Sequence, residues 1–151
     1  MNEQAIQIRQ LTKWYDGLKA LDLPFFSVPP GQSLGVVGNN GAGKTTLFSL
    51  LLDLLRPSSG QIWMCGHPVQ GHEGWKRRAG AFLDDYFLID FLTPEEYFEF
   101  VAELYGMDNR QRESALTKFE RFFRGEVLGT RKLIRDLSAG NRKKVGIAAA
   151  L

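Results

Sequence analysis

A glycine-rich run in the first third of the chain has the composition of a loop that binds phosphate groups. It begins at Gly38, continues through four further residues, and ends with Gly43-Lys44-Thr45-Thr46. Because glycine has no side chain, backbone N–H groups there can approach a phosphate group directly. Lys44 would add a positive charge toward the β- and γ-phosphates of a nucleotide, and the Thr45 hydroxyl would ligate Mg²⁺. The pattern predicts nucleotide binding by Gly38, Asn39, Asn40, Gly41, Ala42, Gly43, Lys44, Thr45 and Thr46.

A phosphate-binding loop of this kind needs a buried strand before it and a helix after it. Ser33 to Val37 reads as a short buried strand, and Thr45 to Leu55 is an apolar run too long for a strand. The N-terminus of that helix points the positive end of its peptide dipoles at the same anion. A glycine-rich turn that binds nothing is the alternative, and the predicted strand and helix disfavour it.

The rest of the pattern divides the chain into a mixed part and a helical part. Further strands are predicted at Ala5–Ile8, Leu21–Val28, Gln61–Cys65 and Gly80–Leu83. Beyond residue 90 the signals are helical, beginning with Thr93, whose side chain can cap a helix that ends near Tyr105. Two more helices are predicted, one over Asp108–Arg124 and one from Ser138 onward. The pattern therefore indicates an α/β core followed by a helical subdomain.

The composition is that of a globular chain and excludes several other classes. With 151 residues there is room for one domain, and 44 % apolar and 24 % charged residues exclude disordered and collagen-like chains. A net charge of +2 is too small to indicate nucleic-acid binding. The single cysteine, Cys65, cannot form an internal disulfide, which indicates a reducing compartment. Cys65, His67 and His72 lack the paired spacing of a zinc site and are interpreted as part of a surface hairpin.

Several segments together resemble one family of phosphate-loop proteins. They are LTKWYDGLKAL, VPPGQSLGVVGNNGAGKTTL, LLRPSSGQIWMCG, LTPEEYFEF and Leu137-Ser138-Ala139-Gly140-Asn141. These segments resemble the N-terminal portion of the nucleotide-binding domain of an ABC transporter, and the pentapeptide resembles the family signature LSGGQ with Ala139 and Asn141 as departures. The resemblance implies an α/β P-loop NTPase of the ABC type with N-terminal antiparallel strands. Its implied parts are a nucleotide-binding core over 1–92, an α-helical subdomain over 93–136, and the signature with the start of its helix over 137–151.

The resemblance also implies roles for residues outside the loop. Tyr15 would stack on the adenine ring, with Trp14 as the other candidate. The γ-phosphate held by the second subunit of a head-to-tail dimer would be contacted by Ser138, Ala139, Gly140 and Asn141. The alternative for the same residues is an ordinary helix that is capped by Ser138 and lies in a basic stretch.

Asp84 stands where the family usually has a glutamine that contacts Mg²⁺ and the attacking water. The resemblance implies that Asp84 takes this place as a metal ligand together with Thr45, with Asp85 one position away. A rival interpretation makes Asp84 and Asp85 the metal-binding pair of another phosphate-loop NTPase. A third leaves both as solvated aspartates on a loop. Under the first interpretation Lys44 and Asp84 are the candidate catalytic residues.

The function implied by the resemblance is that of an ATP-binding subunit of an ABC transporter. It would bind Mg-ATP and, in the full-length dimer, hydrolyse it to drive transport through a transmembrane permease. The permease would hold this cytoplasmic subunit at the inner face of the cell membrane. An ABC-type ATPase without a transport role is the alternative. Members of the family have a later strand that ends in Asp-Glu and a later histidine, but no Asp, Glu or His follows Ser138 in this sequence. The chain is therefore expected to be the N-terminal portion of a longer domain and to be inactive as an ATPase alone.

Overall fold

The structure is a computed structural model that describes residues 4–151. The chain divides into two compact units, the first ending at Ala79 and the second covering Gly80–Leu151. Each unit has a hydrophobic cluster of its own. The ranges 1–92, 93–136 and 137–151 are functional divisions that stay a prediction, and residues 1–3 of the first range lie outside the described part.

The first unit contains a four-stranded antiparallel sheet. Its strands, in the order β2-β1-β3-β4, are β1 (Ile6–Tyr15), β2 (Leu18–Val28), β3 (Ser59–Met64) and β4 (His67–Pro68). The strands predicted near residues 5–8, 21–28 and 61–65 are confirmed in position. β1 and β2 are longer than predicted and are joined by a tight turn at Asp16-Gly17.

The core of the first unit combines one face of the sheet with the helix α1 (Lys44–Leu51). Ile8 and Leu11 of β1 are both fully buried although they are three positions apart. Gln10, at φ +48°, is an extra residue between them that shifts the register with β3 and returns Leu11 to the apolar face. Burial of such a side chain contributes about 1.5–3 kcal/mol, so the bulge keeps the contribution of Leu11 to the core.

Two predictions next to the loop are wrong. Ser33–Val37 does not form a buried strand, because it has no regular secondary structure and is exposed, with Val37 at 92 %. An apolar strand is buried only where neighbouring strands bond to it and other elements cover its faces, and within residues 4–151 no strand pairs with this segment. The helix predicted to reach Leu55 ends at Leu51, followed by Asp53 at φ +57°.

The second unit is helical. Its helices are α2 (Pro94–Leu104), α3 (Asn109–Thr117), α4 (Glu120–Phe123) and α5 (Ala139–Ala150). α2 begins as predicted, with Thr93 and Glu96 exchanging hydrogen bonds in a capping box. The prediction of one continuous helix over Asp108–Arg124 is wrong, because this segment forms two helices. The N–H groups of Lys118 and Phe119 bond to carbonyls three residues back, which tightens the chain and separates α3 from α4.

Aromatic side chains form much of the core of the second unit. The ring of Phe123 lies 5.9 Å from that of Phe98 and 6.0 Å from that of Phe119, measured between centroids. Phe122, the neighbour of Phe123 in α4, is exposed. Among residues 4–151, no helix combines the length and apolar character that a bilayer crossing requires.

The strand predicted at Gly80–Leu83 is also wrong. This segment has no strand structure and packs on α5, where the Phe82 ring lies against Gly146 and Gly80 lies against the backbone of Ala150. Within the described part of the second unit there is no strand for it to pair with. Its apolar side chains are therefore covered by a helix rather than by a sheet.

Candidate functional site

The glycine-rich loop leads directly into α1. The Ala42 N–H bonds to the Asn39 carbonyl at 3.1 Å and turns the chain, and Gly43 follows as the N-cap residue of the helix. Gly43 has φ +86°, and a Cβ atom at this position would lie 2.5 Å from the Ala20 carbonyl oxygen. Only glycine can both adopt this conformation and approach β2 so closely. The backbone of β2 thus packs against the loop at Gly43.

Lys44 is held by the loop that precedes it. Its Nζ donates to the carbonyl of Gly38 at 2.7 Å and to the carbonyl of Asn39 at 2.8 Å. The cation therefore lies at the loop itself and is not extended into solvent. A phosphate group bound at this loop would meet a positive charge that is already in place.

The first turn of α1 is well suited to an anion. It reads Lys-Thr-Thr-Leu and carries no carboxylate, and the N-cap glycine has no side chain to compete for the free N–H groups. Thr45 is exposed, so its hydroxyl is accessible to a ligand, and Thr46 is half-buried. These features fit the phosphates of a nucleotide.

The residues present also fit a magnesium ion that is held mainly by its nucleotide. Among residues 4–151, no group of three His, Cys, Asp or Glu side chains could hold a metal by itself. Mg²⁺ commonly takes one or two protein ligands together with phosphate oxygens and water. The Thr45 hydroxyl is a donor of the right kind, and so is the Asp84 carboxylate, and the role of each as a ligand stays a prediction.

The two aromatic candidates for adenine stacking lie at the end of β1. Trp14 is 45 % exposed and Tyr15 is 42 % exposed. The ammonium of Lys19 lies 5.2 Å from the Trp14 ring, and that of Lys13 lies 5.1 Å from the Tyr15 ring. Both rings have an accessible surface, so the choice of Tyr15 over Trp14 remains a prediction.

Asp84 and Asp85 have different environments in the second unit. Asp84 is exposed and caps a short 3-10 turn over Asp85–Phe87, accepting a hydrogen bond from the Tyr86 N–H at 3.3 Å. Asp85 is half-buried and accepts a hydrogen bond from Nε of Arg142 at 3.0 Å. The interpretation of both as solvated aspartates is therefore wrong for Asp85. Sequence reasoning missed this pair, and the basic stretch around residue 142 was its only signal.

The signature segment starts α5 as predicted. Ser138 is the N-cap residue and accepts a hydrogen bond from the Asn141 N–H at 3.2 Å. The side chain of Asn141 turns toward its own unit and donates to the Glu126 carbonyl at 3.3 Å. The Glu126 carboxylate also accepts a hydrogen bond from Nζ of Lys144 at 2.7 Å. This hydrogen bond and the positive charge of Lys144 lower the pKa of Glu126. The helix start is thus ordered by side chains.

Comparison with known proteins gives one consistent result. A family model described as ABC transporter matches residues 21–151. The daunorubicin/doxorubicin resistance ATP-binding protein DrrA of Streptomyces peucetius is 34 % identical, over 100 % of this chain and 47 % of its own. The Nod factor export ATP-binding protein I of Cupriavidus metallidurans is 31 % identical, over 97 % of this chain and 48 % of its own.

A solved structure has the same fold. It is described as the ATP-binding subunit of an ABC transporter and matches with a TM-score of 0.76 at 26 % identity, over 97 % of this chain and 61 % of that one. The chain spans about half the length of these two curated relatives.

Proposed function

The chain belongs to the ABC transporter family, and on that basis we propose that it binds Mg-ATP through the loop from Gly38 to Thr46. The observation that carries the proposal is the position of Lys44, whose ammonium group bonds to two carbonyls of the same loop. A phosphate oxygen would offer this cation a partner of full negative charge in place of neutral carbonyls. The loop therefore needs little rearrangement to receive a triphosphate.

Each part of the proposed site has its own role. The free N–H groups at the start of α1 would donate to phosphate oxygens, while Lys44 neutralises the β- and γ-phosphates. Thr45 would complete the coordination of Mg²⁺, which when bound reduces the negative charge that an attacking water must approach. Tyr15 would stack on adenine, a contact worth about 1–3 kcal/mol.

In the whole protein we assign Asp84 to the metal and to the attacking water. One of its carboxylate oxygens receives the Tyr86 N–H, so the carboxylate is oriented while its side chain stays exposed. Ser138, Ala139, Gly140 and Asn141 would contact the γ-phosphate bound by a second subunit in a head-to-tail dimer. The open space next to Gly140 supports this role, because a phosphate could reach the backbone N–H groups there.

We propose that ATP hydrolysis in this dimer drives transport through a permease, which would hold the chain at the cytoplasmic face of the membrane. The second unit has a groove of about 260 Å³ lined by apolar side chains, including Phe87, Tyr97, Phe100 and Leu104. Apolar side chains of a partner protein would fit such a groove, and we propose that the permease supplies them. The solved relative described as a transporter subunit supports a separate permease.

The pairing of Asp85 counts against the rival metal site. If Asp84 and Asp85 held the metal together, Asp85 would have to release the guanidinium of Arg142. That exchange would leave a partly buried cation without its partner, at a cost in free energy. Asp84 is therefore the better candidate for the metal.

Nucleotide binding can be tested by titrating the purified chain with ATP in the presence of Mg²⁺. Replacing Lys44 by alanine removes a charge-assisted hydrogen bond, so the dissociation constant should rise about 10- to 100-fold. Lys76→Ala is the matched control, because Lys76 is a lysine of the same unit that pairs with Glu73 on the surface. It should bind ATP like the parent chain.

Circular dichroism of each variant establishes that it is folded before its affinity is compared. Equal ATP affinity in folded Lys44→Ala, Lys76→Ala and parent proteins would refute the assignment of the loop. A loss of affinity on removal of Mg²⁺ by a chelator would separately support a metal at the site.

A further inference from the structure

The guanidinium of Arg142 joins two segments of the second unit that are far apart in sequence. Its Nε donates to a carboxylate oxygen of Asp85 at 3.0 Å, across 57 positions of sequence. Its Nη1 donates to the carbonyl of Leu137 at 2.8 Å. The Arg142 side chain is 29 % exposed and that of Asp85 is 27 % exposed, so the ion pair is largely shielded from solvent.

The position of Arg142 makes the contact with Asp85 important. Arg142 lies in the first turn of α5, where the peptide dipoles disfavour a cation. The Asp85 carboxylate compensates for this arrangement. An arginine can serve both acceptors because its planar guanidinium carries donors in several fixed directions, whereas a lysine has one compact ammonium group.

Each acceptor of Arg142 adjoins a residue of the proposed site. Asp85 is the first residue of the turn that Asp84 caps, and Leu137 directly precedes Ser138, the cap of α5. One side chain therefore holds both the turn that orients Asp84 and the first residue of the signature. Neither contact involves an atom that would touch the nucleotide.

We propose that Arg142 is a positioning residue that fixes Asp84 and the signature segment relative to each other. The inference rests on the function proposed above, since it assigns Asp84 to the metal and the signature to the γ-phosphate of the second subunit. It adds a direct link between them inside one chain. A change at either segment would be transmitted to the other through the guanidinium.

The coupling through Arg142 can be measured by amide hydrogen exchange in the 151-residue chain without nucleotide. The Tyr86 N–H reports on the Asp84 cap, and the Asn141 N–H reports on the Ser138 cap. In Arg142→Gln both amides should exchange about tenfold faster, the factor expected for the loss of one charge-assisted hydrogen bond. Amides near Val145, deeper in α5, should keep their parent rates.

Two further variants make the test specific. Arg142→Lys keeps the charge and should restore part of the protection at Tyr86 but little at Asn141. Arg112→Gln is the matched control, because it breaks an ion pair of similar length, with Glu99 at 2.9 Å, in which the arginine is similarly buried, elsewhere in the second unit. It should leave both amides unchanged. Equal acceleration throughout α5 would show that Arg142 only stabilises the fold and would overturn the proposal.

Kinetics of the whole protein supply the second readout. Arg142→Gln should lower kcat for ATP hydrolysis about tenfold or more while the KM for ATP stays within about twofold, because the loop of the first unit is unchanged. Parent kcat and KM in this variant would overturn the positioning role. A failure of the nucleotide assignment would instead appear as ATP binding that does not depend on Lys44.

Discussion

The helices α1 and α5 both begin with backbone N–H groups that we propose to face phosphate, yet the two starts are held differently. At α1 the N-cap is Gly43, and its backbone lies directly against Ala20 of β2. At α5 the cap is Ser138, and Arg142 ties the preceding residue to the rest of the unit. The start that we propose to close around its own nucleotide is thus supported by backbone packing, whereas the start that we propose to face a second subunit is ordered by side chains.

The largest expected effect breaks the backbone support of α1. In Gly43→Ala the strain of a positive φ costs about 1–3 kcal/mol, and the overlap with Ala20 adds to it. We expect a clear loss of stability in the first unit and a fall in ATP affinity of more than about 100-fold, as for a badly misplaced binding group. All three tryptophans, Trp14, Trp63 and Trp75, lie in the first unit, so tryptophan emission during urea unfolding measures its stability.

The same substitution at α5 should have the opposite sign. Gly140 lies within the helix at an ordinary φ, and an added methyl group would find its nearest neighbour, the Ser138 hydroxyl, at 4.0 Å. Gly140→Ala should therefore stabilise the second unit by up to about 1 kcal/mol. If Gly43→Ala and Gly140→Ala shifted the unfolding midpoint by similar amounts in one direction, the contrast between the two helix starts would be wrong.

Removal of the side-chain cap at α5 should have a smaller effect. Ser138→Ala leaves the Asn141 N–H without its acceptor and should cost about 1 kcal/mol. In a chain of this size that corresponds to a decrease in Tm of roughly 2–4 °C, measured by far-UV circular dichroism. Ser114→Ala, at an exposed position within α3, is the matched control and should shift Tm by no more than about 1 °C.

Acid should weaken the second unit through two glutamates. The backbone N–H of Thr93 and then its hydroxyl lower the pKa of Glu96, and Lys144 lowers that of Glu126. Both folded-state pKa values lie below the unfolded value of 4.5, so their stabilisation is present above pH 4.5 and is lost as the pH falls through the folded-state values. Glu96→Gln with Glu126→Gln should flatten the dependence of Tm on pH below 4.5.

A pH dependence of Tm in this double variant identical to that of the parent would assign the acid sensitivity to other groups. Glu96→Gln alone separates the helix cap of α2 from the surroundings of α5. The titration thereby distinguishes the side-chain support of α5 from contacts elsewhere in the second unit.

The features that the sequence predicts correctly depend on neighbouring residues. The helix that follows Lys44, the Thr93 cap and the Ser138 cap each follow from residue types within one turn of a helix. The candidate site residues also come from short motifs and from the family resemblance that these motifs carry, and their roles stay predictions.

Several of the errors concern contacts between distant residues. Whether Ser33–Val37 is a buried strand depends on which strands lie beside it, and no local pattern contains that information. The Asp85–Arg142 pair also escaped detection, because a charged stretch is usually a solvated face and any of several basic side chains could have been the partner.

The pairing of β1 with β3 has a consequence for the order in which the first unit forms. β1 meets β2 across a short turn, but Thr12 meets Ser59 only after β2, the glycine-rich loop and α1 have been made. A hairpin closes in about 1–10 μs, whereas a long-range pairing must first overcome the entropy of closing its loop. During synthesis, the N-terminal hairpin can therefore form while the rest of the chain is still being translated. The sheet next to the glycine-rich loop is complete only when β3 and then β4 have emerged from the ribosome.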